Sequence, residues 1–573
     1  MNIFNNIKKE ILKIVEKNKK KLKINGNLPT ENIQVELAPI KYDCDVSTNL
    51  AMILGKTQKK NPLSLASDLK KLLLSDIKEF DKIDIAGSGF LNITLRNSSI
   101  LKIIQKILMD KKNYGSQYSN KNINIEFVSA NPTGPLHIGH CRGAILGDVI
   151  ANLLLFNKNK VTKEYYVNDY GNQINNFVKS IYMRIREIKY GDTFVLEKDL
   201  YPGDYIIDIA KHIIDKTKKE FKNYDQSFDI IRVHSLDYSL KGIKKDLKEL
   251  GISHDIYTSE NELVKKKLVE KSVDDLKKNN FIVEGYLNPP KGEEKKNWKK
   301  TKRLIFKSSL FGDDQDRALQ KDDGSWTYFA NDLAYHNDKI LRKFDILINI
   351  LGADHTGYIK RISAAVKAIS KNKTNLFCKV SQLVKLFKDG KPFKMSKRAG
   401  EFITVKDLQK EVSKDSIRFM MLNRSNDMEL DFDFNKVIEK TKENPVFYVQ
   451  YAKARINSIF RIIKKDINFQ IKIDVKNFQL NSFEKKIVRK IFEWPNIIEV
   501  ASKRYEPHRL TFYLYELSTL FHTYWSKGNE DDKFKIIKNN NSYESSSIII
   551  LQLLATVINN GMNILGVSLP DKM

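Results

Sequence analysis

Two histidines, His137 and His140, stand three residues apart in EFVSANPTGPLHIGHCRGAILGDVIANLLLF, just after Pro132 and Pro135 and just before a run with helical apolar spacing. Three chemistries can start from such a pair: a metal site, two structural histidines satisfied in a core, or a nucleotide site. A metalloprotease pair needs i, i+4 spacing with a glutamate between, and Ile138 and Gly139 stand there instead. Structural histidines would account for the imidazoles but leave the glycines and prolines unexplained. The nucleotide reading uses all of them. The prolines stop a strand and stiffen the turn. Gly134, Gly139 and Gly143 present no Cβ, so a phosphate or adenine can approach the main chain and a helix can pack close. The first turn of that helix then offers unpaired N–H groups and a positive dipole end to an anion. Imidazole donors there can stabilise charge developing on an α-phosphate as pyrophosphate departs.

Adenylyl transfer needs a further cationic group for that pyrophosphate. Much later in the chain, KPFKMSKRAGEF supplies Lys394 and Lys397 around Met395 and Ser396, between Gly390 and Gly400. Glycines at both flanks let such a loop close over phosphates and open again. Alone, the loop reads equally well as solvated surface; its pairing with the histidine turn gives it a role. No G-x-x-x-x-G-K-[ST] sequence occurs, which disfavours γ-phosphate transfer by a P-loop enzyme.

The elements that must position these groups follow from periodicity. INIEFVSA is strand-like, Cys141 to Phe156 is helix-like and VTKEYYVND is strand-like, the opening βαβ unit of a nucleotide-binding sheet. A lysine-rich helical stretch interrupts the pattern over about 176–302, and strands resume with KRLIFKSS, SWTYFAND and FDILINILGADH. The expected fold is α/β and multidomain. A small α/β domain spans 1–106, ending in the hairpin-like KIDIAGSGFLNITL. A Rossmann-type parallel-sheet catalytic domain with the insertion spans 120–405, and an all-α domain spans 406–573.

Composition bounds the partners. Among 573 residues, 99 Lys and Arg face 70 Asp and Glu, a net charge of +29, which favours a polyanion. An AT-rich genome would also raise lysine, asparagine and isoleucine, so the charge alone does not settle the matter. Cys44, Cys141 and Cys378 are odd in number and far apart, which fits a reducing compartment and neither a disulfide framework nor a zinc site. The amino terminus lacks the apolar core of a signal peptide, and the best apolar run, near Ile548 to Val557, is broken by Gln552. A cytoplasmic protein with no membrane partner and no structural metal is expected.

The HIGH wording after a first strand, with KMSK in a late loop, resembles the class I aminoacyl-tRNA synthetases. EYYVNDYGNQI, WTYFANDLAYHNDKI, INILGADHTGYIKR, NPVFYVQYAKARI and NNGMNILGVSLPDKM narrow the resemblance to the arginyl-tRNA synthetase family, and VELAPIKYDCDVSTNLAM resembles its appended amino-terminal domain. Arg398 stands where serine is usual. The resemblance implies that ATP and L-arginine give arginyl-adenylate and pyrophosphate, after which the arginyl group passes to the 3′ end of its tRNA. It implies Mg²⁺ with the ATP, a monomer, and adenylate formation that needs bound tRNA. It implies that His137, His140, Lys394 and Lys397 are catalytic, and that Gly134, Gly139, Met395 and Ser396 join them around ATP. Glu260, Tyr328 and Asp332 would take the guanidinium, and Glu126, Asn131 and His355 the other end of arginine. Tyr448, Tyr451, Lys453 and Arg455 would meet tRNA, mixing aromatic faces with positive charge as single-stranded loops invite.

Plainer readings stand beside these: Glu260 as a surface charge, Asp332 as a helix cap, the tyrosines as core. Two rival functions also remain. A small-substrate nucleotidyltransferase would share the histidine turn but not the helical end, and a noncatalytic RNA-binding relative would not keep both signature segments.

Overall fold

The computed structural model describes residues 2–39, 41–286, 301–393, 403–471, 478–538 and 542–573. Lys394, Met395, Ser396 and Lys397 lie outside the described residues. The chain forms two units, Tyr118–Glu439, and Met1–Gln117 together with Lys440–Met573.

In Tyr118–Glu439, β1 (Asn122–Glu126), β2 (Lys160–Val167), β3 (Ile256–Ser259), β4 (Ile346–Gly352) and β5 (Asn375–Ser381) form one parallel sheet. Their order is β5-β4-β1-β2-β3. The chain winds outward from β1 on one side and then on the other, so a crevice opens at the carboxyl ends of β1 and β4, where open α/β sheets bind ligands. Central β1 is buried along most of its length, as a parallel strand covered on both faces must be. Helix α1 (Ile138–Phe156) crosses it closely at Gly147, where a Cβ would meet the Phe127 ring at 2.3 Å.

Three readings of the sequence change here. The helices Asn172–Tyr190, Asp204–Thr217 and Tyr224–Glu249 share an isoleucine-rich core, but the stretch 176–302 also holds β3. That strand is only four half-buried residues, too short to show an alternation. KRLIFKSS does yield a strand, Arg303–Phe306, yet it pairs antiparallel with Ile282–Gly285 and Arg317–Ala318 in a separate sheet. SWTYFAND is not a strand. The Thr327 hydroxyl accepts from the Ala330 N–H and starts helix α3 (Tyr328–Leu341), following the short helix α2 (Glu260–Lys265). A local cap overrides the strand preference of an aromatic, β-branched run.

The helical run expected from Val405 contains one more strand. β6 (Val384–Lys388) pairs antiparallel with β7 (Lys391–Pro392) and parallel with β8 (Leu430–Asp433). Arg142 on α1, 1% exposed, donates to the carbonyls of Gln382, Ser425 and Met428. A cation desolvated this far requires such acceptors. These bonds tie the small sheet to the helix that begins with the histidines.

In the other unit, the strands Val35–Leu37, Val46–Thr48, Phe90–Leu95 and Phe80–Ala86 lie antiparallel in that order, with the Gly87–Gly89 turn at positive φ as the hairpin reading requires. The carboxy-terminal part is built from α4 (Pro445–Ile462), α5 (Ser482–Arg504), α6 (His508–Glu530) and α7 (Ser545–Leu565). Both α1 and α7 are long and apolar enough to cross a membrane, contrary to the sequence reading; here both are mostly buried within their own units.

Pro495 sits inside α5 and has no N–H, so the Ile491 carbonyl loses its helical donor. The Tyr114 phenol donates to that carbonyl at 2.9 Å, while the Trp494 indole N–H donates back to the Tyr114 carbonyl at 3.0 Å. Gly115, at φ +94°, makes the approach possible, because a Cβ would lie 2.6 Å from the Trp494 ring. Gly115→Ala combines overpacking with an unfavourable φ, a cost of about 2–4 kcal/mol. The expected result is a first thermal transition lowered by roughly 5–10 °C, measured by circular dichroism, against a smaller loss of about 1 kcal/mol for Gly26→Ala, where the positive φ is strained but the space is open.

Candidate active site

The histidine turn caps its own helix. His137 is the N-cap of α1; its Nδ1 accepts from the Gly139 N–H at 3.2 Å, and His140 Nδ1 accepts from the His137 N–H at 3.3 Å. The rings stack with centroids 3.7 Å apart. A Cβ on Gly139 would stand 3.0 Å from the His137 ring, a tight contact that glycine avoids beside the folded-back imidazole. Burial lowers the pKa of both, His140 to about 4 with a smaller contribution from His137. At neutral pH both rings are uncharged, and with each Nδ1 accepting, the proton is assigned to Nε2. Each imidazole is thus a neutral donor of fixed tautomer.

The segment that follows the lysine-rich loop is bonded to this turn. The Ile138 N–H donates to the Ile403 carbonyl, the Val405 N–H donates to the Leu136 carbonyl, and His137 pairs with Thr404 as an isolated bridge. On the other side of the loop, β7 lies against β6. The residues just after the loop therefore meet the histidine turn directly.

A cavity of about 610 Å³ opens at the carboxyl ends of the strands, and Glu126, Asn131, Glu260, Tyr328, Asp332 and His355 all line it. Glu126 ends β1, Glu260 follows β3, and Tyr328 and Asp332 share one face of the first turns of α3. Glu260 is 3% exposed, not a surface charge. Its Oε1 accepts from the Asn331 amide at 2.8 Å, and its Oε2 is buried without a partner among the described residues. Asp332 is not a cap, since Thr327 has that place; the Tyr358 hydroxyl donates to its carboxylate. Burial is the leading cause that raises Glu260 to about 7 and Asp332 to about 6. Such a recess suits a cation that supplies the missing charge and donors.

Glu126 differs from these two, because fully buried Lys339 pairs with it at 2.6 Å and the Ser129 hydroxyl donates to its other oxygen at 3.1 Å. The Asn131 amide donates to Gln173 at 2.6 Å. His355 is exposed at the rim beside Asp354. Gly134 lies in the turn, where a Cβ would stand 3.3 Å from the Tyr205 hydroxyl. Val128 and Ser129 both take positive φ at the cavity wall, unusual for a β-branched residue and a common mark of functional loops.

Sequence reasoning missed Lys339, Tyr358, Ser129 and Asn331. Lys339 lies seven residues after Asp332, on the same helix face, but nothing local separates it from a solvated lysine.

On α4, Tyr448, Tyr451 and Arg455 are half-buried on one side. Arg455 lies over the rings of Tyr451 and Trp525 at 4.4 and 5.0 Å and donates to Tyr451 and His522. Tyr448 packs on His522 at 4.3 Å. Lys453 departs from the expected surface: it is 7% exposed and donates to Asn457 one turn on along α4.

A doubly wound sheet whose first helix opens on a histidine turn, with a cavity for a cation at the strand ends, defines a class I aminoacyl-tRNA synthetase; the family model described as tRNA synthetases class I (R), catalytic domain, matches residues 103–461. The arginyl tRNA synthetase N terminal domain matches 2–95 and the DALR anticodon binding domain matches 449–573. Arginine–tRNA ligases of Pelagibacter ubique and Wolbachia pipientis wMel are 50% and 43% identical to this chain, each over the whole of both proteins. The arginyl-tRNA synthetase structure of Thermus thermophilus superposes with a TM-score of 0.70 over the whole of both chains at 18% identity, a likeness of fold. The chain belongs to the arginyl-tRNA synthetase family.

Proposed function

We propose that the cavity is the arginine site, that the histidine turn and the lysine-rich loop form the ATP site, and that α4 and its neighbours meet the tRNA. The carrying observation is the meeting of Glu260, Asp332 and Tyr328 on one recess. The chain charges tRNA with arginine, using ATP as substrate.

In the first step the arginine carboxylate attacks the α-phosphorus, and the bond to pyrophosphate breaks. In the second, a hydroxyl at the tRNA 3′ end attacks the activated carbonyl and AMP leaves. A guanidinium is planar, permanently charged and carries five donors. Asp332 and Glu260 supply the charge and Tyr328 one wall. Glu126, already balanced by Lys339, takes the α-amino end without adding net charge, with Asn131 and His355 near the carboxylate. His137 and His140 donate to the α-phosphate as its charge grows. Lys394 and Lys397, on a backbone that includes Met395 and Ser396, take the pyrophosphate, and Gly134 and Gly139 let the nucleotide lie close. Mg²⁺ comes with the ATP phosphates as part of the substrate. Tyr448, Tyr451 and Arg455 offer stacking and charge to single-stranded RNA, while Lys453 supports the helix from inside. The division of labour proposed is a tRNA-binding domain over 1–106, a catalytic domain over 120–405 and an anticodon-binding domain over 406–573. The enzyme acts as a monomer in the cytoplasm, without a membrane partner.

The carboxylates give this reading a test in pH. Arginine binds their ionised forms, so affinity is full above both raised values and is lost as pH falls through about 7 for Glu260 and about 6 for Asp332. Each protonation weakens binding by up to about tenfold per pH unit. The expected result in arginine-dependent pyrophosphate exchange with tRNA present is an arginine KM that is flat above pH 8 and climbs steeply below pH 7, while the ATP KM changes little. An arginine KM that is constant from pH 8 to pH 5.5 would remove the carboxylate recess from arginine binding.

A further inference from the structure

Asp169 lies in the YVNDYGNQI stretch just after β2, and no role in the reaction has yet been attached to it. Its Oδ2 accepts from the Ser259 hydroxyl at 2.7 Å and its Oδ1 from the Asn261 N–H at 2.9 Å. Ser259 in turn caps α2 by accepting from the Glu262 N–H at 3.1 Å. Glu260 sits between the two groups that Asp169 holds. From the other side the Asn331 amide donates to Glu260 Oε1, while Asn331 Oδ1 is buried without a partner among the described residues. Asn331 also lines a second cavity, of about 670 Å³, with Asp169, Asn261 and Tyr328. Glu260 is therefore fixed at the backbone by one neighbour and at the carboxylate by another, with only Oε2 uncommitted.

We infer that Asp169 and Asn331 are positioning residues that set the Glu260 carboxylate in one orientation, so that Oε2 beside Asp332 accepts a planar guanidinium fork and discriminates against an ammonium group. This rests on the arginine reading of the cavity. A carboxylate free to turn would follow a compact lysine ammonium as readily as a guanidinium. One held by its neighbours meets only a cation whose donors diverge to both carboxylates.

The two neighbours act on Glu260 with opposite electrostatic sign, which separates this role from a merely structural one. The Asn331 hydrogen bond favours the ionised carboxylate, whereas the charges of Asp332 and Asp169 disfavour it. The other charged side chains around the two cavities are the Glu126–Lys339 pair, His336, His355, Arg361, Arg232, Lys321 and Asp323, and the titratable phenols are Tyr166, Tyr170, Tyr328, Tyr335 and Tyr358.

The experiment compares Asn331→Leu, Asp169→Asn and Glu260→Gln in the full-length enzyme by pyrophosphate exchange with tRNA, using arginine and lysine, from pH 5.5 to 8.5. At pH 8, Asn331→Leu is expected to raise the arginine KM roughly ten- to a hundredfold, the effect of losing a hydrogen bond to a charged group, and to narrow the preference for arginine over lysine. Its ATP KM stays within about twofold, which also shows that the site is folded. The acid limb of arginine use moves to higher pH in Asn331→Leu and to lower pH in Asp169→Asn. Shifts in the same direction, or an unchanged arginine KM in Asn331→Leu where Glu260→Gln is crippled, would overturn the positioning role alone. Unimpaired arginine use by Glu260→Gln would overturn the arginine reading and this inference with it.

Discussion

Asp332→Asn is expected to lower kcat/KM for arginine by about 10³-fold, within the range of 10²–10⁴ that follows when one partner of a buried, hydrogen-bonded charge pair is removed. The substitution keeps the size and the place on α3 but removes a charge, and it exchanges an acceptor for an NH₂ donor. The guanidinium would then face Glu260 alone, with some of its donors unpaired in a site that burial has dried. Sites built on buried hydrogen bonds punish such losses far more than sites built on apolar contact. Tyr358 donates to the Asp332 carboxylate, and an amide oxygen can still accept from it, so the local fold is retained. The ATP KM should stay within about threefold of the unaltered enzyme. Pyrophosphate exchange with arginine and ATP varied separately measures both, and equal losses for the two substrates would count against the assignment.

The second large effect belongs to His140. Replacing it with alanine is expected to slow arginine-dependent pyrophosphate exchange by about 10²–10³-fold in kcat, the usual cost of losing one donor aimed at developing charge. His140 also accepts from the His137 N–H, so alanine removes part of a helix cap as well, and the two roles need separating. His140→Asn can place an acceptor near the lost Nδ1 but has nothing at Nε2. If the ring acts on the phosphate, asparagine stays about as slow as alanine while recovering thermal stability. Recovery of rate with asparagine would reduce His140 to a cap. Because burial holds the His140 pKa at about 4, its protonation should produce no limb in the rate near pH 6.5, where an ordinary imidazole titrates.

Much of the site was legible because its signals are local. The glycine between two histidines, the prolines before them and the apolar run behind them describe a tight turn and a helix after the first strand of a nucleotide sheet. The structure adds the reason for Gly139, the folded-back ring of His137. Tyr328 and Asp332 stand four residues apart, which puts them on one face once a helix begins there. Less legible were β3, four residues long within a lysine-rich stretch, and the end of the catalytic unit, because β8 pairs with β6 across more than forty residues of chain. Lys453 misled for a related reason: a cation beside tyrosines reads as surface until packing shows it covered.

By itself the sequence determined the parallel-sheet class, the histidine turn ahead of its helix, the hairpin of the first domain and the arginyl-tRNA synthetase wording. All of these arise from residues within a few positions of one another, where backbone geometry and side-chain type act directly. Only the tertiary structure decided that Lys339 neutralises Glu126, that Asn331 bonds the Glu260 carboxylate while Asp169 bonds the residues on either side of it, that Ile403–Val405 joins the histidine turn, and that Tyr114 repairs the carbonyl bared by Pro495. Each of these needs burial to remove water and a partner brought from far along the chain. Desolvation and distant pairing leave no periodic mark in a sequence.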